Sequence, residues 1–263
     1  MKLIDYIDKL IANGRCYFTL DEASFELGKA RHTIVLSIEH LKTKGYLASP
    51  AKGFYVIVSP EFRIYDCLPA ELFIPYLMEY WQHPYYAGLL TAAMYHGASH
   101  QQPQIFQIIT DRNRPMLECG KVRVQFIAKS NIQIVPVQSL STLKSILTIS
   151  TPEATAMDLL CYPMHCGGLN RIVTVLDELR EHIRANELRV LAENQIEIAW
   201  KQRLGFLLDK LGSPHLADIL AMHLMKQNRV DYIQLMPGLQ DKNKSIKNKK
   251  WKIIENTDFE SDL

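Results

Sequence analysis

The chain has 263 residues, which is enough for two domains that each bury a hydrophobic core. With 48% hydrophobic and 22% charged residues, its composition is that of a globular protein and excludes a disordered or fibrous chain. The formal net charge is only +2, so the chain as a whole has no excess charge for a polyanion. Any nucleic-acid interface must therefore be a local basic surface.

The cysteines and the apolar runs bear on the cellular compartment in which the protein is found. The chain has 5 cysteines, and they include no C-x-x-C pair, which favours reduced thiols over a disulfide framework or a zinc site. Lysines and aspartates interrupt the apolar residues of 1–13, so this stretch is not a secretion signal. The most apolar later run, residues 85–95, is too short to span a bilayer. We expect a cytoplasmic protein with no membrane partner and no cofactor.

Residues 1–28 read as two helices. The apolar residues of 3–11 fall on one helical stripe and predict the first helix. Thr19 followed by Glu22 is a capping box, which predicts the start of the second helix. Gly28 supplies the residue that commonly ends a helix before a tight turn.

Residues 30–58 read as a third helix and a two-stranded wing. Ile34, Ile38 and Leu41 have the spacing of one buried face in a helix over about residues 30–44. Two β-prone runs, at residues 46–47 and 53–58, flank turn-forming residues at 49–52. The order predicts a winged helix-turn-helix over residues 1–58, in which the third helix enters the major groove and the wing lies over the phosphate backbone.

The charges agree with this placement, because residues 29–58 contain five basic residues and the single acid Glu39. Arg31, His32 and Thr33 occupy the first turn of the third helix, which is the end that usually reaches base edges. The residues predicted to contact DNA are Lys29, Arg31, His32, Thr33, Lys42 and Lys52. The alternative is a small helical domain whose lysines are merely solvated. Val35 and Leu36 also give the helix a wide apolar surface, which could contact another domain.

A boundary at residues 59–61 separates this region from a larger domain over residues 59–263. Helices are predicted over residues 69–80 and from Pro84 onward. Strand-like runs follow at 105–110, 122–127 and 132–137, and the turns between them suggest an antiparallel or mixed sheet.

The remainder of the chain reads as mostly helical. Thr151 caps a helix with Pro152 at its first position, and further helices are predicted over residues 169–183, up to about 211, and from Ser213. A closing strand is predicted at residues 251–254. The fold class is therefore α+β: an N-terminal winged helix-turn-helix followed by a larger mixed α/β domain with a small sheet flanked by helices.

Several stretches together resemble a known family over nearly the whole chain. They are residues 84–93 (PYYAGLLTAA), 96–104 (HGASHQQPQ), 151–159 (TPEATAMDL), 166–169 (CGGL), 202–205 (QRLG) and 251–263. In this order they resemble the AbiEi family of type IV antitoxins, transcriptional regulators encoded beside an AbiEii-type nucleotidyltransferase toxin. The resemblance implies that the winged domain represses its own operon at inverted repeats, with a possible homodimer on DNA. It also implies that the C-terminal domain counters the toxin, directly or functionally.

Two groups of residues could instead point to a metal site or an enzyme. His96 and His100 have the spacing of two zinc ligands on a helix, but Gly97 between them interrupts that helix. Asp111, Glu118 and Lys121 loosely resemble the acid-acid-lysine set of metal-dependent nucleases, with one residue too many between Glu118 and Lys121. We therefore expect no metal site, no catalytic residues and no enzymatic activity.

A second basic run lies near the C-terminus. Six lysines and the single acid Asp241 fall within residues 240–252, and four of the lysines are candidate contacts to toxin or nucleic acid: Lys244, Lys247, Lys249 and Lys250. Such a run is most often a solvated loop. A stand-alone winged-helix regulator remains the main alternative to an antitoxin, and the neighbouring gene would distinguish them.

Overall fold

The computed structural model describes residues 1–98, 103–239 and 246–259, which form two compact units. Unit 1 contains Met1–Ala87, Gln104–Ile132 and Ser139–Thr148. Unit 2 contains the other described residues. The predicted domain boundary after residue 58 lies inside unit 1, so the winged region and residues 59–87 share one compact body. Within the described ranges, no helix is both long and apolar enough to cross a bilayer.

The first 58 residues contain helices where the sequence predicted them and, at the position predicted for the wing, a two-stranded hairpin that is called the wing below. One further strand was not predicted. The elements are α1 (Leu3–Ala12), β1 (Tyr17–Thr19), α2 (Leu20–Leu27), α3 (Arg31–Thr43), β2 (Leu47–Ala51) and β3 (Phe54–Ile57). The three strands form an antiparallel sheet in the order β1-β3-β2. Strand β1 was not predicted, because three residues are too few to show an alternating pattern.

Local chemistry explains how α2 begins and ends. Thr19 Oγ1 accepts a hydrogen bond from the Glu22 backbone N–H at 3.2 Å, and Glu22 Oε2 accepts one from the Thr19 N–H at 3.3 Å. The predicted capping box is thus confirmed. Gly28 has φ +58°, a left-handed conformation that glycine adopts without steric cost. The tight turn before α3 follows from this residue.

The wing differs from its prediction in one respect. Residues 49–51 were expected in the turn, but β2 runs through Ala51 with a register shift between Ala48 and Ala51. Pro50 lacks a backbone N–H, and such residues are accommodated in strands at irregularities of this kind. The turn is therefore shorter than predicted, and Lys52 and Gly53 form its tip.

Residues beyond the wing contribute α4 (Ala70–Trp81), preceded by a 3₁₀ helix at Pro60–Tyr65, and a six-stranded sheet. The strands are β4 (Tyr85–Ala87), β5 (Phe106–Thr110), β6 (Leu117–Cys119), β7 (Val122–Ala128), β8 (Val137–Ser141) and β9 (Ile146–Ser150). Their order is β6-β7-β5-β4-β9-β8. The sheet is mixed, because β5 pairs with β7 in parallel and with β4 antiparallel.

Two predictions in this region are wrong. Pro84 directly precedes strand β4, and the helix that was expected to begin at Pro84 begins only at Leu89. Residues 132–134 form a 3₁₀ turn and not a strand. At residues 85–87 the backbone conformation depends on pairing with β5, which a local pattern does not reveal.

Unit 2 is mostly helical. Its helices are α5 (Leu89–Tyr95), α6 (Pro152–Cys161), α7 (Leu169–Leu179), α8 (Ala185–Asn194), α9 (Ala199–Lys210) and α10 (Pro214–Met225). A small sheet follows, formed by β10 (Ile233–Gln234), β11 (Ile246–Asn248) and β12 (Ile253–Glu255). The helix predicted over residues 169–183 ends at Leu179. The helix predicted to end at about residue 211 is two helices, α8 and α9, which are separated by residues 195–198.

Candidate nucleic-acid interface

Helix α3 has one face in the core and one face in solvent. Ile34 and Ile38 are fully buried in the cluster that also contains residues of α1, β1 and the wing. Arg31, His32 and Thr33 are exposed in the first turn. The helix is thus fixed by its apolar stripe, and its opposite face is free to contact a ligand.

The N-terminus of α3 has no side-chain cap. Ala30 occupies the N-cap position and offers no side-chain acceptor to the backbone N–H groups of the first turn. Unsatisfied N–H groups at a helix N-terminus bind anions, and DNA-binding helices use them to contact phosphate. Lys29, which is exposed, lies two residues before this turn.

Arg31 forms an ion pair with Asp21, the second residue of α2. Both side chains are more than 60% exposed, and such surface pairs contribute little to stability. The guanidinium group is therefore held near the start of α3 but can exchange the carboxylate for a phosphate or a base edge. The sequence did not reveal this pair, because Asp21 and Arg31 meet only through the turn between the two helices.

The other residues predicted to contact DNA differ in how accessible their side chains are. His32 Nε2 and Thr33 Oγ1 lie 3.2 Å apart on the exposed face. Lys42 is half-buried, and its Nζ lies 3.0 Å from Glu39 Oε1. This i,i+3 pair partly neutralises Lys42, so Lys42 is the weakest of the predicted contacts.

The wing tip is anchored on α4. Tyr80 Oη donates a hydrogen bond to the Lys52 carbonyl at 3.3 Å, and a Cβ on Gly53 would lie 2.9 Å from the same hydroxyl. The Tyr80 ring also packs on Phe54, with centroids 5.5 Å apart. Lys52 itself is exposed. The backbone of the tip is fixed while its ammonium group remains accessible.

Three further exposed residues lie on the same face as Thr33 and were not predicted to contact DNA. They are Leu36, which is 71% exposed, and Ser37 and His40. Their spacing of three, four and seven residues from Thr33 could have identified them. An exposed leucine among polar residues suits apolar contact with a thymine methyl group.

The residues considered for metal binding or catalysis are not brought together. Asp111 follows β5 and lies 3.1 Å from His83, whereas Lys121 precedes β7. Since β5 and β7 are parallel and pair Thr110 with Ala128, Asp111 and Lys121 lie about 26 Å apart along the strands. The described residues contain no group of three or more His, Cys, Asp and Glu side chains placed to hold a metal.

His96 takes part in a hydrogen bond within unit 2. Its Nε2 lies 2.8 Å from the Ser150 carbonyl, to which the ring N–H donates. Burial lowers the pKa of His96, so the neutral ring is favoured. His100, its proposed partner, lies outside the described residues.

The basic run near the C-terminus is described only from residue 246 onward, so Lys244 lies outside the described residues. Lys250 Nζ lies 2.8 Å from Asp209 and 3.6 Å from Asp218, and the hydrogen bond to Asp209 raises the pKa of Lys250. Lys247 Nζ lies 5.6 Å from the centre of the Tyr232 ring and, like Lys249, is exposed. Lys247 and Lys249 are therefore available to a partner, whereas Lys250 is engaged within the chain.

The fold is similar to that of a solved bacterial protein. The crystal structure of the RV2827C protein from Mycobacterium tuberculosis matches with a TM-score of 0.69. The match covers 95% of this chain and 89% of that chain at 17% sequence identity, which establishes a shared fold alone. Among curated proteins, none matches this chain.

The central part of the chain matches a known sequence family. Residues 86–210, which extend from β4 to the end of α9, match the AbiEi antitoxin C-terminal domain. This match supports an antitoxin of a toxin–antitoxin system and agrees with the resemblance seen in the sequence. Residues 86–210 therefore belong to the AbiEi antitoxin family.

Proposed function

We propose that this protein is the antitoxin and autorepressor of a type IV toxin–antitoxin operon, acting in the cytoplasm against a nucleotidyltransferase toxin. The observation that carries the proposal is the presence of an exposed, basic, uncapped helix and wing in the same chain as an AbiEi antitoxin domain. The helix supplies a means to bind operator DNA, and the domain supplies the link to a toxin.

On this proposal residues 1–58 act as a winged helix-turn-helix. Helix α3 enters the major groove with Arg31, His32 and Thr33 toward base edges, while Lys29 and the uncapped N–H groups contact phosphate. Lys52 at the wing tip contacts the backbone beside the groove. Inverted repeats would place two copies of the chain on the operator, each reading one half-site.

Mobility-shift titrations with the upstream region test this assignment. Arg31→Ala should weaken binding and relax sequence preference, because a bidentate arginine–guanine contact discriminates by about 1–3 kcal/mol. Lys52→Ala should weaken binding to all sequences and reduce the salt slope by about one unit. Lys9→Ala, an exposed lysine of α1, is the matched control and should bind as wild type. Wild-type binding by both Arg31→Ala and Lys52→Ala at two salt concentrations would refute the assignment.

The contact to the toxin, or to the nucleic acid on which the toxin acts, is proposed to include the basic run near the C-terminus. Lys247 and Lys249 are the residues to reverse, because they are exposed and have no carboxylate within ion-pair distance among the described residues. Lys250→Glu would also break the pairs with Asp209 and Asp218, so loss of function in that variant could reflect damage to the fold.

Colony survival beside a promoter-reporter assay separates the two activities. Cells that express the neighbouring nucleotidyltransferase should lose protection with Lys247→Glu/Lys249→Glu, while operon repression is retained. Lys121→Glu, an exposed lysine of unit 1, should retain both activities. Equal loss of protection and repression in Lys247→Glu/Lys249→Glu would contradict the assignment of these lysines to antitoxin action alone. If the neighbouring gene encodes no nucleotidyltransferase, the stand-alone regulator becomes the better proposal.

A further inference from the structure

A groove between helices α8 and α10 has the features of a ligand site that the proposed function does not use. The cavity has a volume of about 290 Å³. Arg189 and Glu193 line it from α8, and Ile219, Met222 and His223 line it from α10, with Lys226 directly after that helix. This volume is at the lower end of the range of ligand pockets, so it suits a mononucleotide better than a large cofactor.

A buried lysine supports the wall of this groove. Lys201 on α9 is 1% exposed, and its Nζ donates to the Gln195 carbonyl at 2.6 Å and lies 3.0 Å from His223 Nε2. Burial of an ammonium group is costly, so a lysine in this position is supported by strong hydrogen bonds. Here these bonds tie the loop after α8 to the imidazole of His223.

The contact with Lys201 determines the protonation state of His223. An ammonium group has protons to donate and no lone pair, so His223 Nε2 must accept the hydrogen bond. The Gln227 amide nitrogen, 3.3 Å from the same atom, is likewise a donor. His223 is therefore neutral with its proton on Nδ1, and burial and the neighbouring lysines lower its pKa in agreement. The ring can offer an N–H donor to an acceptor in the groove.

The groove carries more positive than negative charge. Arg189 and Lys226 are exposed, and within the described parts of the chain neither has a carboxylate within ion-pair distance. Glu193 is the only acid among the lining residues. Lys201 contacts His223 from inside the protein and adds a third positive charge to those of Arg189 and Lys226. Three cations and one carboxylate give a positive potential that favours a bound anion.

The floor of the groove is apolar. Ile219 is buried and Met222 is 52% exposed, so an apolar surface is open to a ligand between the cationic residues. Methionine packs well against flat aromatic groups. We propose that this groove binds a nucleoside phosphate, with the phosphate at Arg189, Lys226 and the His223 Nδ1–H group and the base on Met222.

Calorimetric titration of the full chain tests this proposal with AMP, ATP, adenosine and inorganic pyrophosphate as probes. AMP and ATP should bind, and adenosine should bind at least tenfold more weakly because it lacks the phosphate. Arg189→Ala and Lys226→Ala should each weaken AMP binding about tenfold, as expected for loss of one charge-assisted hydrogen bond. Arg229→Ala is the matched control, because this exposed arginine pairs with Asp231 outside the groove and should leave binding unchanged.

Two further measurements keep the test decisive. Nitrogen–proton spectra should show a change at the His223 ring on addition of AMP, with the signal assigned by His223→Gln. A short RNA distinguishes a free nucleotide from an RNA end: binding more than tenfold tighter than that of AMP, and still dependent on Lys226, would identify the RNA end. No binding of AMP, ATP or RNA would overturn the proposal, as would wild-type affinity in Lys226→Ala. Pyrophosphate binding as tight as that of AMP would overturn the role of the apolar floor.

Discussion

Gly205 lies where helix α9 meets the indole ring of Trp251, and Gly205→Ala is the substitution whose outcome the structure determines most sharply. A Cβ at Gly205 would overlap the Trp251 Cζ3 and Cη2 atoms and lie 2.7 Å from Cε3. The ring cannot easily move away, because its Nε1 donates to Asp209 Oδ2 at 2.7 Å and the Trp251 carbonyl accepts from Gln202 at 3.0 Å. Trp251 is also 1% exposed.

Two opposing effects set the magnitude. Alanine is a better helix former than glycine by about 1 kcal/mol, so propensity alone predicts that Gly205→Ala stabilises the protein. Forcing the indole out of its site costs up to the value of a buried tryptophan side chain, about 3–5 kcal/mol. We therefore expect the free energy of unfolding to fall by about 2–4 kcal/mol.

Urea unfolding followed by circular dichroism measures this change, and Trp251→Ala provides the matched background. In the Trp251→Ala variant the ring is absent, so Gly205→Ala should raise the free energy of unfolding by about 1 kcal/mol. The sign of the effect should thus reverse between the two backgrounds. Stabilisation of the wild-type chain by Gly205→Ala would show that the helix and the Trp251 ring are not in this close contact.

Three further predictions concern local structure. Thr19→Ala removes the N-cap of α2 and should lower the free energy of unfolding by about 1 kcal/mol in urea, whereas Thr19→Ser should retain it. Gly120→Ala, with φ +56° and its Cβ against the Tyr65 carbonyl, should lower the melting temperature more than Gly14→Ala, with φ +73° and open space. Burial lowers the pKa of Lys201 from 10.5 to about 8, so the unfolded chain binds more protons between these values. The free energy of unfolding of the wild type, relative to Lys201→Met, should therefore rise from about pH 8 to pH 10.5.

Local rules predicted much of the fold because the determining atoms are close in sequence. The capping box of Thr19 and the cap of Thr151 with Pro152 need only residues within three positions, and the structure has both. The buried face of α3 followed from a spacing within one helix. By contrast, Tyr85–Ala87 is a strand because β5 pairs with it, and β5 begins about twenty residues later. A proline followed by aromatic residues does not show that partner.

The same distinction between local patterns and long-range packing applies to the candidate contact residues. The sequence placed the basic residues on α3 and the wing, since their positions follow from the helix and turn patterns. It did not show that Lys250 pairs with Asp209, because 41 residues separate them and only the packing of unit 2 brings them together. A count of lysines in the tail therefore overestimates the charge available to a partner.

The packing of unit 1 bears on how the two proposed activities, DNA binding and antitoxin action, can be tested separately. Tyr17 of β1 stacks on Tyr76 of α4 with ring centroids 4.3 Å apart, and Phe54 of the wing packs on Tyr80 of the same helix. Deleting residues 1–58 would expose these aromatic rings and remove the support of α4. A truncated chain that failed to protect cells could then have lost its fold and not its antitoxin surface. Arg31, Lys247 and Lys249 are all exposed, so substitutions there leave this packing intact. Charge substitutions in the full chain are therefore a stricter test than truncation of which surface binds DNA and which acts on the toxin.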